Sequence, residues 1–106
     1  MYKQTIISAI QSQQMIRVNF KKETTGEFVT RDIAPYDIFP QKKKDSTYEE
    51  DFLLGCTDIH FPHKAHPAST YLSNISSVDI LNESFDGDQV RKILKPKERP
   101  NISRNW

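Results

Sequence analysis

At 106 residues, 36% of them hydrophobic and 10% aromatic, the chain has material for one small domain with a lean core. No apolar run approaches the roughly 20 residues that span a bilayer. The opening "MYKQTIISAIQSQQ" lacks a signal peptide's basic-then-apolar layout, and the single Cys56 excludes a disulfide framework, so a cytoplasmic, non-membrane protein is expected. Net charge is +1 but uneven: residues 87–106 hold six basic against two acidic residues, and residues 1–86 hold nine against twelve. An electrostatic arm would therefore have to be the tail, whose plainer reading is a solvated end.

In chain order, Ile6, Ile7 and Ile10 recur at helical spacing and predict a short amphipathic helix over about Gln4–Gln13. "IRVNF" then alternates, with Ile16, Val18 and Phe20 on one face of a half-buried strand. "KKETTGE" is a turn with Gly26 as its left-handed residue, and "FVTRDIAPY" returns as the second strand of a hairpin. "PQKKKDSTYEED" reads as a charged loop and "FLLGCTDI" as a third strand buried on both faces, with Gly55 marking a close approach or bend. "HFPHKAHPAS" reads as a loop, and "STYLSNISSVDIL" as a further strand or bent strand pair. "NESFDGDQ" marks the end of the domain, "VRKILK" a helical turn or strand, and "PKERPNISRNW" an extended tail.

One helix followed by four or five closely spaced strands predicts a mainly β fold, a small antiparallel barrel or sandwich. Pro35 and Pro40 interrupt the strand-like "RDIAPYDIFP". Proline cannot donate to a ladder, so a barrel corner at Pro35, with Tyr36 covering the core beside it, is the structural expectation.

The order of "IRVNF", the glycine turn, "RDIAPYDI", "FLLGC" and "YLSNISSVDIL" resembles a WYL domain over residues 6–86. Arg31, Pro35 and Tyr36 match that family's pattern. Asp51, Phe52 and Leu53 stand at its name tripeptide, and Tyr71 and Asn74 stand where arginines are usual. The resemblance implies a small Sm-like or SH3-like barrel over residues 1–86, followed by a basic tail over 87–106. It further implies a bacterial module of transcription regulation or defence whose ligand is a nucleotide or nucleic acid. Such a module joined to no winged helix would act through a protein partner or a second copy of itself.

Guanidinium forks suit phosphates, and aromatic faces suit bases. The ligand-binding candidates are thus Arg31, Tyr36, Phe52 and Asn74. Each has a plainer reading: an arginine paired with Asp32, Glu23 or Glu27, a barrel-end tyrosine, a core phenylalanine, a turn asparagine. Cys56, His60, His63 and His66 are zinc-ligand types, but Pro62 and Pro67 argue against a helical knuckle, and no metal or cofactor is expected. Glu49, Glu50 and Asp51 read as a solvated hairpin tip beside Lys42, Lys43 and Lys44. Without a nucleophile elbow or phosphate-binding glycine loop, the expectation is a non-enzymatic ligand-binding module. The alternative is a protein-interaction or assembly module with a degenerate groove, working through strand edges or the tail.

Overall fold

A computed structural model describes residues Tyr2–Trp106. Helix α1 (Lys3–Ser12) precedes strands β1 (Gln14–Lys21), β2 (Phe28–Lys42), β3 (Glu49–Thr57) and β4 (His66–Tyr71). A single 3-10 turn, Leu72–Asn74, leads into β5 (Ile75–Ser84), and helix α2 (Gly87–Leu94) follows. All strand pairs are antiparallel, in the order β4-β3-β2-β1-β5. The mainly β expectation holds. The closed Sm-like or SH3-like barrel does not: the sheet is open, with β4 and β5 as its edges and no pairing between them among the described residues.

Helix α1 buries Ile6, Ala9 and Ile10 against the sheet, the face that the isoleucine spacing requires. It stops where Gln13 turns left-handed at φ 55° and its N–H bonds back to the Ala9 and Ile10 carbonyls. Ile16 and Val18 of β1, Ile33 and Ile38 of β2, Leu53 and Ile75 complete this core. The β1–β2 turn closes with Lys22 N–H on the Glu27 carbonyl at 2.8 Å, and Gly26 takes φ 74° as expected.

Strand β2 explains both prolines. It pairs with β1 only from Phe28 to Ile33, while its pairing with β3 runs on to Lys42. From Ala34 onward β2 has one free side, where a missing N–H is tolerated. Between Pro35 and Asp37 the register with β3 shifts, which leaves Tyr36 as the extra residue of a bulge. The bulge lets Ile33 and Ile38 share one core despite their odd spacing, while Ala34 and Tyr36 face the other side by ordinary alternation. Gly55 lies opposite Pro35 because a Cβ there would sit 2.5 Å from the Ala34 carbonyl oxygen.

The second side of the sheet gathers Met15, Ala34, Tyr36, Cys56, Ile59, Phe85 and Val90. Where a helical turn or strand was expected at "VRKILK" the chain forms helix α2, and the segment expected to be an extended tail follows as a strap packed on this cluster. Asp86 caps α2 by accepting the Asp88 N–H at 2.9 Å, and Lys95 ends it with φ 49°. The strap then crosses the free side of β2, and Trp106 packs against both cores. The loop expected over 60–69 is shorter than that, because β4 already begins at His66.

Candidate functional site

The four predicted ligand-binding residues fall in three places. Arg31 is exposed on β2 and Phe52 half-buried on β3, and both line one groove of about 450 Å³. Its other walls come from Phe20 and Lys21 of β1, Lys22 of the first turn, and Thr57, His66 and Tyr71 of β3 and β4. Tyr36 lies elsewhere, 4% exposed beneath the strap. Asn74 sits in the 3-10 turn, half-buried, its side-chain nitrogen without a partner, and it lines none of the grooves beside Arg31.

A second groove of about 590 Å³ adjoins the first. Met15, Arg17, Asp32, Ile59, His60, Phe61 and Glu83 line it, and Arg31, Thr57 and His66 belong to both grooves. Arg31 therefore stands at a junction, on the same face of β2 as Ile33 but in the exposed first half of the strand.

The electrostatics of this face turn on which charges are already matched. Asp32 is taken by Arg17, whose Nε and Nη2 reach its two oxygens at 2.8 and 3.0 Å, a fork that holds the Arg17 guanidinium above its ordinary pKa. Glu23 and Glu50 are taken by Lys43, at 3.6 and 3.4 Å. Glu83 faces His60 at 3.1 Å. Arg31 has no ion pair among the described residues, and its Nη1 donates only to the Thr30 carbonyl at 3.0 Å. None of the acidic partners foreseen for it, Asp32, Glu23 or Glu27, pairs with it.

Aromatic surface lies beside this cation. Phe52 packs edge-to-face on Tyr71 at 4.8 Å and on Phe39 at 5.6 Å, so it joins the groove to the sheet as well as facing solvent. The Tyr71 hydroxyl is fixed by donation to the Lys42 carbonyl at 2.9 Å, and Lys43 lies over its ring. Phe61, 61% exposed, stands in the wall of the second groove. An exposed guanidinium with aromatic faces near it can hold an anion and a planar group together.

The cysteine and histidines are dispersed. Cys56 is buried in the second core, and burial pushes its thiol up to about 11. His60 pairs with Glu83, His66 Nδ1 donates to the Lys64 carbonyl, and no cluster of three metal-binding side chains forms among the described residues. Thr57, His66 and Tyr71 are groove residues that sequence reasoning did not select. Only the β3–β4 register, which sets Thr57 opposite His66, brings the first two together.

No protein-family model matches the chain, and no curated protein matches it. Among solved structures it is similar to part of proteasome accessory factor B/C (PafBC) of Arthrobacter aurescens, with a TM-score of 0.58 and 13% sequence identity. The likeness covers 92% of this chain and 13% of that one. It is a likeness of fold. No helix among the described residues is long and apolar enough to cross a membrane.

Proposed function

We propose that the chain is a non-enzymatic, WYL-like regulatory module that binds a nucleotide or nucleic acid in the groove around Arg31. The observation that carries this reading is the exposed Arg31, without an ion pair, set between two grooves and near Phe52, while Asp32 is held by Arg17 and Glu23 by Lys43. A phosphate would find a guanidinium fork there, and a base would find an aromatic wall. Arg31 and Phe52 carry recognition in this reading. Tyr36 supports the fold under the strap, and Asn74 lies outside the groove. The fold likeness to a segment of an accessory factor supports a role inside a larger regulatory system, such as bacterial transcription control or defence.

Arg31→Ala tests it. Against a panel of nucleotides and short oligonucleotides followed by calorimetry, the wild type is expected to bind, and the variant to bind about tenfold more weakly or worse, as for loss of a charge-assisted bond. Equal affinities would remove Arg31 from the site.

A second reading, a protein-interaction module with a degenerate groove, has its own support. Edge strands β4 and β5 each leave one side unpaired, and Tyr36 is withdrawn from the groove. A chain that binds none of the panel but self-associates or captures a defined partner would favour it.

A further inference from the structure

Residues 95–101 form an arch over the free side of β2. At one end Lys95 closes α2, its N–H on the Arg91 carbonyl at 2.8 Å. At the other, the Asn101 N–H meets Asp37 at 2.8 Å and its side-chain amide meets the Ile38 carbonyl at 3.0 Å. Between these anchors Pro96 and Pro100 fix two φ angles. Residues 96–100 make no hydrogen bond to the sheet among the described residues. They stand off it, over a cavity of about 600 Å³, a size that suits a ligand or an anchoring side chain.

The cavity has an apolar floor and a cationic rim. Tyr36 and Phe39 of β2 and Leu54 of β3 make the floor, with Pro40 beside them. The buried acid in its wall, Asp37, is already matched by Arg104 and by the Asn101 and Ile102 N–H groups. On the arch, Lys97 and Arg99 line the cavity, both exposed and without an ion pair among the described residues. Exposed Lys95 precedes them, and Glu98 is the arch's only acid. Arg91, by contrast, is taken by Asp88.

The backbone of β2 adds a direction. Successive residues of a strand point their N–H and C=O groups to opposite sides. The Ile38 carbonyl meets the strap, and the register with β3 runs regularly from Ile38 to Pro40, so the Pro40 carbonyl lies on the strap side too. Nothing among the described residues donates to it. This open acceptor suits a peptide N–H, which a phosphodiester lacks.

We infer that the cavity docks an acidic, extended peptide segment of a partner protein. One apolar side chain of the segment sits on the floor of Tyr36, Phe39 and Leu54, and flanking carboxylates meet Lys97 and Arg99. Because the arch is anchored at both ends, docking costs it little ordering entropy. The site shares no lining residue with the two grooves around Arg31, so it does not rest on the ligand proposed for them.

The probe is a short fluorescein-labelled peptide that alternates threonine with aspartate around one central leucine. Its binding to the full chain is read by fluorescence anisotropy at low salt. Two further peptides are controls, one with serine at the centre and one with lysine in place of every aspartate. The leucine peptide is expected to bind about tenfold tighter than the serine peptide, as for burial of one apolar side chain. The lysine peptide should not bind. The double variant Lys97→Glu, Arg99→Glu should weaken the leucine peptide about fivefold or more, as for reversal of two rim charges. Lys64→Glu, an exposed position outside the cavity, should change it by less than about twofold, because screening confines such effects to near neighbours. Circular dichroism checks that the variants fold, which is expected where the replaced side chains are exposed and unpaired.

No binding of the leucine peptide, equal affinity for the serine peptide, or undiminished binding by the double variant would overturn the site. An oligothymidylate that displaces the labelled peptide as well as the unlabelled peptide does would also overturn it, since the surface would then read negative charge alone.

Discussion

Two regions of the molecule use similar side chains to opposite ends. On one, Arg31 and Phe52 line an open groove, and the arginine meets no acid. On the other, Arg104 lies between the rings of Tyr36 and Trp106, its guanidinium carbon 4.7 and 4.6 Å from their centres. That arginine's side chain is 2% exposed and faces Asp37 at 3.4 Å. Asp37 also accepts the N–H groups of Asn101 and Ile102 at 2.8 and 2.9 Å, and Asn101 donates its amide to the Ile38 carbonyl. Trp106 donates its indole N–H to the Ile10 carbonyl at 2.7 Å and leaves no room for a side chain at Gly87.

An arginine near an aromatic ring is therefore not a site by composition. What separates the two is whether an acid and a stretch of backbone already satisfy the cation. Asp37 of β2 and the Ile102 carbonyl of the strap engage Arg104, although its Nη1 has no partner, whereas no acid engages Arg31. Burial pulls the Arg104 guanidinium below its ordinary pKa, with Asp37 opposing that pull. The pair is structural, holding the strap across the free side of β2.

The largest test of this contrast is Asp37→Asn. It keeps the shape but leaves Arg104 buried without its counter-charge, and urea unfolding should report a loss of about 3 kcal/mol or more. A change under about 1 kcal/mol would show that the strap does not depend on the pair.

Cys56, in the same sealed core, should make stability fall at high pH. Its folded value is raised to about 11, whereas an unfolded thiol ionises near 8.5. The contribution is complete below the unfolded value and is lost as pH rises through the folded one. Its loss should amount to about 2–3 kcal/mol near pH 11, from the roughly 1.4 kcal/mol that each pKa unit represents. Denaturation at a series of pH values measures it, and Cys56→Ala should remove that part of the decline. A decline identical in the variant would locate the effect in other groups.

The smallest expected effect lies on the open face. Arg31→Ala should change unfolding free energy by no more than about 0.5 kcal/mol, as for a surface side chain without a structural partner, even while it weakens ligand. A loss of 2 kcal/mol would place Arg31 with Arg104, as part of the fold.

The sequence by itself determined the local elements. Isoleucine spacing set α1, alternation set β1, and glycine chemistry set the first turn, because those signals act within a few residues. Arg31 was legible as a candidate from its chemistry and its place in the resemblance, not from alternation, because it shares a strand face with Ile33. Tertiary structure alone decided the rest. Two β2 residues read as a motif, Arg31 and Tyr36, ended in different places, the first lining the open groove and the second sealed beneath a strap that only the tertiary fold brings across β2. The pairing of Thr57 with His66 depends on strand register, and the sheet's failure to close depends on edges that never meet. Polar, charged residues 95–105 looked like a solvated tail because hydropathy does not register a buried carboxylate. Asp37, 64 residues before Asn101, supplies the partner that draws the strap in.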